Sequence, residues 1–289
     1  MGYKKRLEHA FDGAPVLSLC AGKKYVLFSD CHRGDGTNND NFLKNRHLYL
    51  AALRYYAKRG YTYIELGDGD ELWENRSMEQ IKEIHGEVFE LLSQFYREGR
   101  LYMIYGNHDI IKKRTSFAEE KCAFFYSASR ECVLPLFTGI TFYQGIILEH
   151  SGSGKRFYLT HGYQASLLNS TLWPIARLLV RYVWKPLEQI GILDPTSAAK
   201  NYTEKLCIER RLETWAKEHD VTLITGHTHR PRIVQEEPYY MNAGSCVHPH
   251  AITCIEIEND IVTLAKWQMN ARADGSIFVE HVSFFQSHQ

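Results

Sequence analysis

The chain has 289 residues, 44% hydrophobic and 24% charged, with 34 basic and 34 acidic side chains. That is the composition of an ordinary globular protein, and a formal charge of zero excludes a nucleic-acid binder that relies on a broad basic surface. No run approaches the roughly 20 apolar residues of a membrane span, and the seven cysteines show no CxxC pairing, so they read as reduced thiols. The basic start MGYKKRLEH has no apolar run behind it, and Arg6 stands where a myristoylation motif requires Ser or Thr. A cytoplasmic protein is expected, with residues 1–289 forming a single domain.

Short apolar runs alternate with helical patterns along the chain, which predicts a layered α/β architecture. Strands are expected at 24–29, 61–66, 101–105, 145–150, 156–160, 221–225 and 239–242, with several more between 251 and 285. Apolar residues at three- and four-residue spacing predict helices over 41–58, 77–98, about 172–189 and 198–218. Residues 163–202 stand out as a helical insertion rich in large apolar side chains.

Five polar motifs each follow a predicted strand. Asp30-Cys31-His32 follows YVLFS, Gly67-Asp68 follows YIEL, and Gly106-Asn107-His108-Asp109 follows LYMIY. His161-Gly162 follows FYLT, and Gly226-His227-Thr228-His229 follows VTLIT. The carboxyl ends of strands in open α/β sheets converge on one crevice, where ligands bind. In an extended segment, residues two apart point the same way. Asp30 and His32 are therefore expected on one side with Cys31 turned away, and His227 and His229 likewise around Thr228. Carboxylate, amide and imidazole donors without thiolate suit Mn, Fe or Zn, and Asp68 is placed to share its carboxylate between two ions. Gly67, Gly106 and Gly226 leave room for tight turns beside these ligands.

The series DCH, GD, GNHD, HG and GHTH resembles the signature of the calcineurin-like metallophosphoesterases and spans Asp30 to His229. The resemblance implies a two-sheet β-sandwich flanked by helices, holding two divalent metal ions, with Mn²⁺ the leading expectation and Fe or Zn next. It implies that Asp30, His32, Asp68 and His229 bind one ion, while Asp68, Asn107, His161 and His227 bind the other. His108 would act as general acid at the leaving-group oxygen, with Asp109 as its orienting carboxylate. GDGDELWE and GHTHRP, through Glu71, Trp73, Arg230 and Pro231, look like the UDP-2,3-diacylglucosamine pyrophosphohydrolase branch. Three features depart from that branch: His108 stands where those enzymes carry arginine, Tyr163 where they carry aspartate, and DCH continues as Arg33-Gly34-Asp35. A relative with a different substrate is expected.

The expected reaction is hydrolysis of a phosphate ester or pyrophosphate bond by hydroxide formed between the two metals, without a phosphoenzyme. Arg33 is a candidate phosphate contact. In the insertion, Asn169-Ser170-Thr171 is expected to cap a helix with Pro174 in its first turn. Leu172, Ile175, Leu179, Val183 and Leu187 form an apolar stripe, and Arg177, Arg181 and Lys185 a basic line on another face. Three roles are open for this segment: a lid that holds phosphate or a lipid headgroup, a docked core helix, or a dimer contact. The expected partner is a phosphorylated small molecule, nucleotide or lipid, with peripheral membrane contact and a homodimer as further options and nucleic acid disfavoured. A protein phosphatase or nuclease are alternatives within the enzyme class. Outside it, the alternative is a non-catalytic metal-binding scaffold.

Overall fold

The alternation of side chains along the strands sets the layers. In β2 (Lys24–Phe28), Tyr25 and Leu27 face one apolar core while Val26 and Phe28 face another. A strand buried on both sides belongs in the middle of a sandwich covered by helices. The computed structural model describes residues 1–127, 130–184, 202–233, 239–258 and 261–288.

The remaining strands are β1 (Val16–Leu19), β3 (Thr62–Leu66), β4 (Leu101–Ile104), β5 (Phe124–Ser127), β6 (Cys132–Pro135) and β7 (Phe142–Tyr143). After them come β8 (Gly145–His150), β9 (Arg156–Thr160), β10 (Thr222–Thr225) and β11 (Tyr240–Asn242), then β12 (Ala251–Glu258), β13 (Ile261–Ala271) and β14 (Ile277–His288). One sheet runs β14-β13-β12-β2-β3-β4-β7 and the second runs β1-β8-β9-β10-β11, with β5 and β6 forming a separate hairpin. The two-sheet α/β sandwich flanked by helices is thus present. Leu27, Ile64, Leu66 and Ile104 of the large sheet meet Ile146, Leu148, Leu159 and Ile224 of the small one. Helices Arg46–Lys58 and Gly86–Arg97 cover the large sheet's outer face, and Tyr202–Glu218 covers the small sheet.

This topology gathers the motifs. β2, β3 and β4 are parallel neighbours, so their carboxyl ends bring Asp30, Asp68 and Asn107 side by side. In the other sheet β9 and β10 are parallel, which aligns His161 with the turn carrying His227 and His229.

The expected strands appear within a residue at each end, and 145–150 and 156–160 match β8 and β9. The helix expected over 77–98 is two helices, Met78–Ile84 and Gly86–Arg97. The break falls at His85, which is 1% exposed and whose Nε2 lies 2.9 Å from Asp40 Oδ2. Asp40 also accepts from the N–H groups of Gly36, Phe42 and Leu43. Burial opposes its charge, but the His85 bond and these donors outweigh it and hold the carboxyl below its usual range. A depressed carboxylate contributes stability that is full above the unfolded pKa and fades as pH falls through the folded one. We expect His85→Ala to cost about 1–3 kcal/mol at pH 7 in urea unfolding, the cost of removing one donor from a buried carboxylate that keeps its backbone N–H donors. That difference should shrink below about pH 4; a variant as stable as wild type at pH 7 contradicts it.

Candidate metal centre

Each ligand is held by the chain around it. Five of the seven candidate ligands are in the left-handed region, which non-glycine residues rarely adopt: Asp30 (φ 51°), His32 (48°), Asp68 (51°), His227 (68°) and His229 (56°). Such strain persists where surrounding contacts over-determine it, and it concentrates at functional sites. The expected extended alternation through Asp30-Cys31-His32 is therefore corrected: Asp30 and His32 converge through two successive kinks rather than through a strand's period. The loops can approach closely because of glycine. A Cβ on Gly226 would lie 1.7 Å from Ser29 Oγ and 2.4 Å from Asp30 Oδ2, and one on Gly106 would lie 2.1 Å from Asp68 Oδ1.

Both carboxylates use one oxygen for the scaffold and leave the other for the pocket. Asp30 Oδ2 accepts from Ser29 Oγ (2.6 Å) and His227 N–H (2.8 Å). Its Oδ1 is buried with no aligned donor, although His229 Nε2 is 3.0 Å away and His32 Nε2 3.7 Å away. Asp68 Oδ1 accepts from His108 N–H at 2.8 Å, while Oδ2 stands 3.0 Å from His161 Nε2. His161 donates through Nδ1 to the Leu66 carbonyl (2.9 Å), which directs its unpartnered Nε2 into the pocket. Asn107 Oδ1 is also buried without a donor. Asn169, from the insertion, places Nδ2 3.4 Å from His227 Nε2.

Ligand atoms of Asp30, His32 and His229 lie within 4.8 Å of one another, as do those of Asp68, His161 and His227. Orphaned acceptors and imidazole nitrogens turned toward a shared pocket fit divalent cations, which would satisfy them at once. The electrostatics agree. Burial would raise the Asp30 carboxyl, yet His229 and His161 hold it well below its usual range. Burial would also lower His161, but Asp68 and Asp30 bring it up to about 9. Burial and the His161 charge push His227 down to about 3.

Two expected roles are revised by the geometry. Arg33 does not face the pocket: it is fully buried, with Nη1 2.9 Å from Glu65 and Nε 2.7 Å from Asp70. An isolated bridge between Arg33 and Asp70 draws the chain inward there. Asp109 turns away from the His108 ring. Its oxygens accept from Gly106 N–H (2.7 Å), Gly69 N–H (3.2 Å) and Lys112 Nζ (2.7 Å), pinning together the loops that carry Asp68 and Asn107. The carboxylate at His108 is instead Glu71, whose oxygens lie 2.8–2.9 Å from His108 Nδ1.

Glu71 also takes His32 Nδ1 at 2.8 Å and accepts from the N–H groups of Trp73 and Glu74. Burial opposes its charge, but His108 and His32 keep it well below the usual range. Burial likewise works against the His108 proton, and Glu71 and Asp68 raise its pKa despite that. Trp73 stacks on the His108 ring, with centroids 4.3 Å apart and planes at 22°, an arrangement that favours the cationic imidazolium. Replacing Glu71 by glutamine should weaken metal affinity about 10–100-fold by releasing His32. Titration of the metal into both proteins checks this, and equal affinities contradict it.

The insertion differs from its expected polarity. Leu172, Ile175, Leu179 and Val183 are 40–56% exposed, so the stripe does not face a core. The side chains that point inward include Arg181, which donates to the carbonyls of Trp73 (2.7 Å), Leu72 (2.9 Å) and Asn75 (3.3 Å). Arg177 lies over the Trp173 ring, 5.2 Å from its centroid. From Val180 the chain continues as a π-helix, Val180–Trp184, which takes Val183 off the α-helical period of the residues before it. Pro174 does sit in the first turn of Trp173–Leu179, but Asn169 is not the cap. Instead Ser166 caps the short helix Leu167–Ser170. Lys185 and Leu187 lie outside the described residues. Among those described, no helix is long and apolar enough to cross a membrane.

Two solved structures of Vps29 from Chaetomium thermophilum align over 90% of this chain. The first is 13% identical with a TM-score of 0.42 and is covered over 97% of its own length. The second, complexed with the RaPID-derived cyclic peptide RT-D3, is 11% identical with a TM-score of 0.39 and is covered over 96%. No curated protein sequence matches the chain. Residues 23–231, a span that includes Asp30 through His229, match the family described as calcineurin-like phosphoesterase. The chain belongs to that family.

Proposed function

We propose that the protein is a two-metal phosphoesterase that hydrolyses a phosphate ester or pyrophosphate bond. The observation that carries this reading is the pair of Asp/His groups, Asp30-His32-His229 and Asp68-His161-His227, together with the buried, donorless Asp30 Oδ1 and Asn107 Oδ1, set beside His108, whose Nδ1 is engaged by Glu71. Asp30, His32 and His229 would hold one ion and Asn107, His161 and His227 the other, with Asp68 shared. Bound dications of this kind, Mn²⁺ foremost, polarise phosphoryl oxygens and lower the pKa of water.

The protein's own groups do the rest. Glu71 holds His108 by Nδ1, which leaves Nε2 to donate a proton to the departing oxygen. His108 keeps about a quarter of its side chain accessible (23%) while Glu71 is buried (8%), so the proton donor faces the mouth and its partner does not. The insertion, anchored by Asn169 at His227 and by Arg181 at the 72–75 loop, would roof the site as a lid. The likeness of GDGDELWE and GHTHRP to pyrophosphohydrolases supports a substrate of that kind.

Assay of the Mn²⁺-loaded protein on p-nitrophenyl phosphate, a phosphodiester and a pyrophosphate-linked nucleotide tests the reading. Turnover that a chelator abolishes and Mn²⁺ restores is expected. Two bound ions with no turnover on any of the three would instead favour a metal-binding scaffold.

A further inference from the structure

On and near the turn that follows His108 lie cations, Lys113 and Arg177, that form no ion pair among the described residues. Trp173 packs with Tyr105, Ile110 and Tyr163, and the Tyr163 ring is 6.0 Å from that of the candidate ligand His161. Lys113 and Arg177 both lie against Trp173, with Nζ 5.5 Å and Cζ 5.2 Å from the ring centroid. Lys113 is exposed on the short 3₁₀ turn that follows His108. Arg177 Nε is sheltered from solvent and has no acceptor among the described residues.

Arg181 spends its donors on backbone carbonyls, and Arg76 donates to Tyr182 Oη. After burial, the charges of Arg177 and Arg76 are what lower the Arg181 pKa, so the three guanidiniums sense one another. Glu71 is the carboxylate that Arg181 also senses, and its oxygens are already taken by His108 and His32; like charges held this close raise the local potential for an anion. A sheltered guanidinium donor without an acceptor is costly unless something fills it. An aromatic face with a cation on either side also supplies a surface for the group that bears the anion.

The position decides which anion. Trp73, whose carbonyl Arg181 holds, stacks on His108. Lys113 lies on the turn that follows His108, and Arg181, four residues beyond Arg177, holds the loop that carries Trp73, which ties this group to the two loops around the His108 ring, the side on which a leaving group would depart. We propose that Lys113 and Arg177, flanking Trp173, form a subsite for a second phosphoryl group carried on the leaving group of the substrate. This rests on reading the pocket as a phosphoesterase, and it selects substrates with two phosphoryl groups, in an anhydride or on neighbouring oxygens, over simple monoesters. A guanidinium offers a fork that matches phosphate oxygens, and the lysine adds a point charge.

The test is calorimetric titration of the full chain, as purified, with inorganic phosphate and with methylenediphosphonate, whose P–C–P link does not hydrolyse. R177Q should weaken methylenediphosphonate binding at least about tenfold, the loss of a charged hydrogen bond, and change phosphate binding less than about twofold. R177K should retain most of the affinity, and K113Q, an exposed change that spares the helix, should repeat the selective loss. If R177Q weakens both ligands equally, or neither, the subsite is wrong. The phosphoesterase reading is judged separately by wild-type hydrolysis of p-nitrophenyl phosphate, whose leaving group carries no second phosphoryl group.

Discussion

Asp68→Ala is expected to lose bound metal and phosphoesterase turnover together. The residue is 1% exposed and sits with Oδ2 3.0 Å from His161 Nε2 and 3.8 Å from His32 Nε2, between the two Asp/His groups. Its other oxygen takes the His108 N–H, so the substitution also frees the loop that carries Asn107 and His108. Metal ions contribute several kcal/mol of transition-state stabilisation in such sites. At about 1.4 kcal/mol per factor of ten, that is a fall of roughly a thousandfold or more. Asp68→Asn keeps the shape but removes the charge, and it should lose most of the same affinity. Normal metal content in Asp68→Ala would place the shared ligand elsewhere.

His108→Ala should separate chemistry from metal binding. The ring bonds to Glu71, stacks on Trp73 and packs edge-on against His32 (centroids 4.7 Å), but His32 keeps its own bond to Glu71, so both ions should remain. Loss of a general acid costs about 10²–10⁴ in rate. The loss should be greatest for alkyl phosphates, whose leaving groups need the proton, and least for p-nitrophenyl phosphate. Wild-type rates on both would remove His108 from the mechanism. Glu71→Ala should show the same leaving-group dependence with a further drop in metal affinity, because Glu71 also holds His32.

Much of this site is legible in the sequence because its ligands follow strands. Asp30, Asp68 and Asn107 end three neighbouring parallel strands, and runs such as YVLFS and YIEL announce those strands by their apolar content. Glu71 was harder to assign. Asp109 is next to His108 in the chain, whereas Glu71 becomes its neighbour only because β3 and β4 pair in parallel and bring their following loops together. The available signal was the spacing, with an acidic side chain three residues beyond Asp68 in GDGDELWE. Arg33 misleads for a related reason. A loop arginine beside ligands resembles a phosphate contact, and only the fold reveals Glu65 and Asp70 beneath it, both also buried.

Other misses come from tertiary contacts that override local period. Residues 77–98 carry a continuous helical pattern, and the pair between His85 and Asp40 interrupts it across 45 positions. The insertion's stripe is periodic as an α-helix, but the Arg181 bonds to the 72–75 loop hold a different face inward, and Leu172, Ile175, Leu179 and Val183 are left exposed. β1 was not expected because Val16 and Ser18 are exposed and its four residues carry little apolar alternation. It pairs in parallel with β8 all the same, since an edge position needs only one buried side.

Anomalous diffraction from crystals of the Mn²⁺-loaded protein locates the ions themselves. Two peaks per chain are expected, one among Asp30, His32 and His229 and the other among Asn107, His161 and His227, with Asp68 touching both. A single peak, or two that leave Asp68 without a metal contact, would contradict the dinuclear centre.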